Sequence, residues 1–120
     1  MKYISTRNKE KTVSVSEAII QGLADDGGLY TPQALDQKVD LASTLKMNYL
    51  ELAQYILSLF LSDFSHEQIQ QCVQNAYQNS FENNEVAPLR KYSDGWLMEL
   101  WHGPTSAFKD VALTLLPHLL

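Results

Sequence analysis

The sequence predicts an α+β chain. A small, mostly helical domain over residues 1–85 is followed by a β-hairpin and a strand–loop–helix over residues 86–120. Three observations predict it. Ser14, Asn48 and Ser65 each stand three residues before a Glu or Gln and open an apolar helical run, the arrangement in which cap and third residue satisfy each other's backbone N–H. The polar, proline-containing stretch FENNEVAPL (residues 81–89) then breaks the helical pattern. Beyond it, two β-prone runs flank Ser93-Asp94-Gly95, and the second leads through His102-Gly103-Pro104-Thr105 into AFKDVALTLL.

Tyr3-Ile4-Ser5 and Thr12-Val13 are short β-prone pieces on either side of a polar stretch, suited to a small edge pairing. Ser14 with Glu17 starts the first helix, whose Ala18, Ile19, Gly22 and Leu23 would share one face. This helix is expected to stop at ADDGG, where Gly27 and Gly28 tolerate the positive φ of a C-terminal turn. A tight turn there leads into Leu29-Tyr30-Thr31-Pro32. The two aspartates lack the alternating oxygen ligands of a calcium loop, and no phosphate-binding glycine pattern is present.

Residues 33–46 read as an irregular connector. In MNYLELAQYILSLF, Asn48 is the cap and Met47 and Leu52 form a hydrophobic staple. Only Glu51, Gln54 and Ser58 are polar, so this helix is expected to be buried on most sides. Ser65 with Gln68 caps the next helix, where Ile69, Cys72, Val73, Ala76 and Tyr77 follow helical spacing. Cys72 lies on that apolar face and reads as core. The second hairpin strand, Trp96 to Trp101, ends at the Gly-Pro loop. Pro117 falls late in the final helix, where it removes a backbone donor and kinks or ends it.

Composition narrows the partners. A net charge of −5 over 120 residues argues against nucleic acid, and no apolar run is long enough to span a bilayer. The N-terminal MKYISTRNKEKTV lacks the apolar centre of a signal peptide, so a cytoplasmic location is expected. A single cysteine and the scattered His66, His102 and His118 offer no metal site.

Lys109 is the residue on which function turns. It is expected in the first turn of the last helix, capped by Thr105 or Ser106. There the helix dipole disfavours an ammonium, and Ala107, Phe108 and Val111 would add desolvation, which also favours the neutral amine. A neutral amine is what imine formation with an aldehyde requires. An ordinary solvated lysine fits the same residues, and both readings stay open on the physics alone.

Glu99-Leu-Trp-His-Gly-Pro-Thr-Ser-Ala-Phe-Lys-Asp110 resembles the ELxHGPTxAFKD signature of the threonine synthase family. Ser5-Thr6-Arg7 and SEAIIQGLADDGGLYTP (residues 16–32) are similar to that family's opening pattern. The resemblance runs from start to end of the chain. It implies that Lys109 carries pyridoxal 5′-phosphate as a Schiff base, serving as both cofactor anchor and catalytic residue. It also implies a substrate, O-phospho-L-homoserine, converted with water to L-threonine and phosphate. His102, Thr105 and Asp110 are the candidates for supporting the lysine loop, although turn chemistry alone accounts for them equally well. Ser106 departs from the larger apolar residue of many relatives.

Family members run to several hundred residues, and their glycine-rich phosphate loop lies downstream of the lysine. The chain is therefore expected to be the family's N-terminal domain (1–85) plus the start of a truncated α/β cofactor domain (86–120), inactive by itself. With its apolar C-terminal face uncovered, the segment 86–120 is expected to dock on the domain or, preferentially, on a second copy. A threonine-synthase-like phospholyase would carry the same lysine motif, and a non-catalytic folding or interaction module is the remaining alternative.

Overall fold

The computed structural model describes residues 1–120 and is mixed helix and strand, as expected. Strand β1 (Tyr3–Ser5) lies between β2 (Thr12–Val13) and β3 (Tyr30–Pro32) in an antiparallel sheet of order β2-β1-β3. Ile4 faces Thr12 on one side and Thr31 on the other. Pairing of β1 with β2 follows the β-prone pieces. The third strand was missed because Leu29–Pro32 reads locally as a turn exit, and only β1 supplies its partner.

Helix α1 (Val15–Gln21) carries the expected capping box between Ser14 and Glu17, but ends earlier than expected. Gly22, at φ 71°, closes it, and the Asp-Asp-Gly-Gly segment instead forms a separate turn bridged by Leu23 and Leu29. The buried face is correspondingly rotated: Val15 and Ala18 are buried, while Leu23 is 58% exposed. Within the expected connector, Asp40 caps a one-turn helix, α2 (Leu41–Thr44), by accepting from the Ala42 N–H.

Helices α3 (Tyr49–Phe60) and α4 (His66–Tyr77) form the antiparallel pair that their caps and spacing predict, each with a complete capping box. All five apolar positions read from α4, Ile69, Cys72, Val73, Ala76 and Tyr77, are buried. They pack with Val15, Leu61, Val86 and Leu115 into one core. Each fully covered aliphatic side chain there contributes on the order of 1.5–3 kcal/mol. Helix α3 departs from expectation: none of its residues is fully buried, since only α4 covers it closely. Every residue of α3 except Glu51 is nevertheless partly covered.

Strands β4 (Leu89–Tyr92) and β5 (Gly95–Met98) form a two-stranded ribbon whose eight residues are all exposed. Tyr92 pairs with Gly95, so of the flanked Ser93-Asp94-Gly95 only Ser93 and Asp94 form the loop. Ser93 takes the positive φ, 51°. The strand also stops at Met98, short of the expected Trp101: the Glu99 N–H still bonds to the Pro88 carbonyl at 3.0 Å, but Pro88 has no N–H to continue the ladder.

The last helix is divided into α5 (Asp110–Leu113) and α6 (Leu116–Leu119). Pro117 stands in the first turn of α6 rather than late in one long helix. Without an N–H it cannot bond to the Leu113 carbonyl, so the break falls just before it. Both short helices lie on α4: Tyr77 Oη donates to the Val111 carbonyl at 2.7 Å, and Cys72 Sγ donates to the His118 carbonyl at 2.9 Å. Burial next to Tyr49 raises the Tyr77 phenol above its ordinary range. Of the expected apolar face, Leu115 is buried and Val111 and Leu119 pack beside it, whereas Phe108, Leu113 and Leu116 stay exposed.

Candidate active site around Lys109

The loop from Gly103 to Asp110 carries the lysine. Its geometry is set by Asp110, which is buried although charged. The Asp110 carboxylate accepts from the Thr105 backbone N–H at 2.7 Å and from the Thr105 hydroxyl at 2.5 Å. The Thr105 hydroxyl, then the Thr105 N–H and the Ala107 N–H, hold its carboxyl below the usual range against the opposing effect of desolvation. Gly103 is required here, because a β-carbon would come within 2.6 Å of the Asp110 β-carbon. Ser106 completes the turn at φ 57° and donates its N–H to the Gly103 carbonyl at 3.1 Å.

This reverses the expected capping. Neither Thr105 nor Ser106 caps the helix bearing Lys109. Instead Asp110 caps the preceding turn, and Lys109 occupies the cap position of α5 with helical backbone angles and no side-chain cap. Its side chain is exposed, not desolvated: Ala107 is exposed and Phe108 is 64% exposed beside it, while Val111 turns toward the core. Lys109 takes part in none of the ion pairs. Asp110, the nearest carboxylate in sequence, is engaged by Thr105 and does not pair with the amine. The result is a reachable primary amine on a rigidly tied loop.

His102 holds the loop's upstream end. Its Nδ1 lies 2.8 Å from Glu82 Oε2 and its Nε2 lies 2.7 Å from Glu99 Oε2. Hydrogen bonds to Glu82 and then Glu99 raise its pKa above the ordinary 6.5. Arg90 extends the network, with Nη1 3.0 Å from Glu85 and Nε 3.9 Å from Glu99. A backbone bond from the Glu82 N–H to the His102 carbonyl, 3.0 Å, runs alongside. Of the sequence candidates, Thr105 and Asp110 meet directly, whereas His102 contacts neither and works through two glutamates. Glu82, Glu99 and Arg90 were not found from sequence. Glu99 could have been, three residues before His102, but Glu82 lies in a polar stretch with no local pattern to distinguish it.

The N-terminal motifs also meet. Ser5 Oγ donates to Asp26 Oδ1 at 2.7 Å, the Gly28 N–H donates to the same oxygen at 2.8 Å, and Arg7 Nη1 donates to the Asp26 carbonyl at 3.1 Å. The Leu29 N–H donates to Thr6 Oγ1 at 3.1 Å. The Ser5 hydroxyl, ahead of the Gly28 N–H, lowers the Asp26 carboxyl below its usual range. Any side chain at Gly28 would collide with the Ser5 hydroxyl. STR and DDGG are thus two halves of one structural clasp. No group of three or more His, Cys, Asp or Glu side chains is placed to hold a metal ion, and no helix is long and apolar enough to cross a membrane.

The family model described as threonine synthase N terminus matches residues 2–77. Over 124 residues the chain is 38% identical to a threonine synthase of Pseudomonas aeruginosa, covering all of this chain and 26% of that protein. It is 36% identical to the human protein named threonine synthase-like 1, covering 98% of this chain and 18% of that one. Its backbone superposes on a crystal structure of PLP-bound threonine synthase from Brucella melitensis with a TM-score of 0.88 and 36% identity, over 99% of this chain and 26% of that one. The chain therefore spans about a quarter or less of the length of these relatives. It belongs to the threonine synthase family.

Proposed function

We propose that a full-length protein carrying this chain is a cytoplasmic, pyridoxal 5′-phosphate-dependent threonine synthase that uses Lys109 as its cofactor anchor. The reaction is conversion of O-phospho-L-homoserine and water to L-threonine and phosphate. The observation that carries this reading is Lys109 itself: an exposed, unpaired amine on a loop fixed by Asp110, within the family's lysine signature.

The residues present fit the cofactor at one end. A primary amine suits its aldehyde, and the exposed setting leaves room for a ring beside Phe108 and Ala107. The five glycines of the chain form no phosphate-cradling run, so phosphate binding belongs to residues outside 1–120. When bound, the cofactor supplies an electron sink for carbanions. Lys109 Nζ would hold it between turnovers and, once the substrate's own amine has taken its place there, would be free to take and return protons at the substrate carbons. Thr105 and Asp110 keep the loop from moving, and His102 fixes its upstream end. In this reading residues 1–85 are the family's N-terminal domain and 86–120 the first part of the cofactor domain. The 120-residue chain alone is inert.

One rival would carry the same lysine motif, a phospholyase that releases phosphate without forming threonine. Incubation of the full-length protein with O-phospho-L-homoserine separates them. Threonine and phosphate in equal amounts are expected; a keto acid with phosphate and no threonine supports the phospholyase. No phosphate release at all would overturn both.

A further inference from the structure

We propose that Glu82, His102 and Glu99 form a proton-dependent latch, closed by imidazolium and opened by its deprotonation, that fixes the upstream end of the lysine loop. Both ring nitrogens of His102 lie at hydrogen-bonding distance from a carboxylate oxygen, 2.8 Å from Glu82 and 2.7 Å from Glu99. Carboxylates only accept, so both contacts are satisfied together only when both nitrogens carry hydrogen. In neutral imidazole one nitrogen presents a lone pair to a carboxylate, and that contact turns repulsive.

The surroundings decide which contact opens. Glu99 is 18% exposed and also faces Arg90, whereas the Glu82 side chain is 70% exposed and has no other partner among the ion pairs. Glu82 therefore leaves on deprotonation, and the remaining proton stays on Nε2 toward Glu99. The charged groups on the ring are Glu82 from the segment after α4 and Glu99 from the exit of β5; Arg90 from β4 and Glu85 stand one pair further out. Two carboxylates meet the ring directly and favour the added proton, while Arg90 reaches only Glu99, at 3.9 Å, and is itself paired with Glu85. The Trp101 ring, 5.5 Å from the imidazole, covers one side without titrating.

The mechanical consequence follows from the chain path. Glu82 is tied close to the core through Phe81 and Val86, and the residue after His102 is Gly103, which abuts Asp110. A closed latch thus references the loop to the core. An open one leaves only the backbone bond from Glu82 to the His102 carbonyl as a pivot. The sign is that of a folded-state pKa raised above its unfolded value. The latch is fully closed below pH 6.5 and is lost as pH rises past 6.5 through the folded midpoint.

Proton NMR titration of the 120-residue chain tests this without cofactor or turnover. Its outcome is therefore independent of the proposed reaction, on which only the importance of Lys109 rests. The His102 imidazole should titrate above 6.5, and Glu82→Gln and Glu99→Gln should each lower that midpoint. Hydrogen-exchange protection of the amides from Thr105 to Asp110, after correction for intrinsic exchange, should fall through the same midpoint. In His102→Gln that step should disappear. If His102→Gln does not fold, the wild-type titration alone decides. A His102 midpoint at or below 6.5, or loop protection that ignores it, overturns the latch.

Discussion

Val86 holds a backbone φ of 59° while only 1% exposed. A β-branched residue is poorly suited to that region, where a Cβ costs roughly 1–2 kcal/mol. Burial of its side chain in the core, worth about 1.5–3 kcal/mol, offsets the strain. The comparison gives a prediction. Val86→Ala loses core contacts, and Val86→Gly removes one further carbon, about 0.8 kcal/mol of burial, but releases the positive φ. Val86→Gly should therefore be at least as stable as Val86→Ala in urea denaturation. A glycine variant clearly less stable than the alanine variant would show that the backbone there is unstrained. No reading of FENNEVAPL could have found this, because burial of Val86 depends on α1 and α4. The same limit applied at Asp110. Thr105 and Asp110 were each named as loop support, but which residue caps which turn depended on the loop closing back over Gly103.

At the scale of elements, what was legible was local. A capping box is written within four residues, so α1, α3 and α4 start where their sequences say. Ends and exposures were less legible because they depend on distant partners. The early stop of α1 reflects Gly22 taking the positive φ before Gly27 can, and α3 is partly covered because α4 is the one element packed closely on it. The β4–β5 ribbon carries the clearest prediction at this scale. Both of its outer edges are unpaired, and Leu89, Tyr92, Trp96, Leu97 and Met98 are exposed on it. Such an edge pairs readily with another strand. The 120-residue chain should associate as its concentration rises in light scattering, and Trp96→Lys together with Leu97→Lys should reduce that association. A monomer at every concentration would rule it out.

Across the whole molecule, one core joins the two predicted parts. Val86 and Leu115 lie beyond the expected division after residue 85, yet both are buried among α1 and α4 residues. The bonds from Tyr77 and Cys72 to the backbone of residues 111 and 118 fix α5 and α6 on α4 of the same chain. Through this path the helical domain orients the loop on which Lys109 sits. The lysine itself was legible only through the motif around it. Its exposure and the engagement of Asp110 by Thr105 belong to the folded chain. Whether Lys109 anchors the cofactor is decided by reductive trapping. In the full-length protein loaded with pyridoxal 5′-phosphate, borohydride reduction and peptide mapping should place the pyridoxyl group on the peptide containing Lys109. Lys109→Ala should lose both the label and threonine formation. Label on a different lysine, or undiminished turnover by Lys109→Ala, would contradict the account.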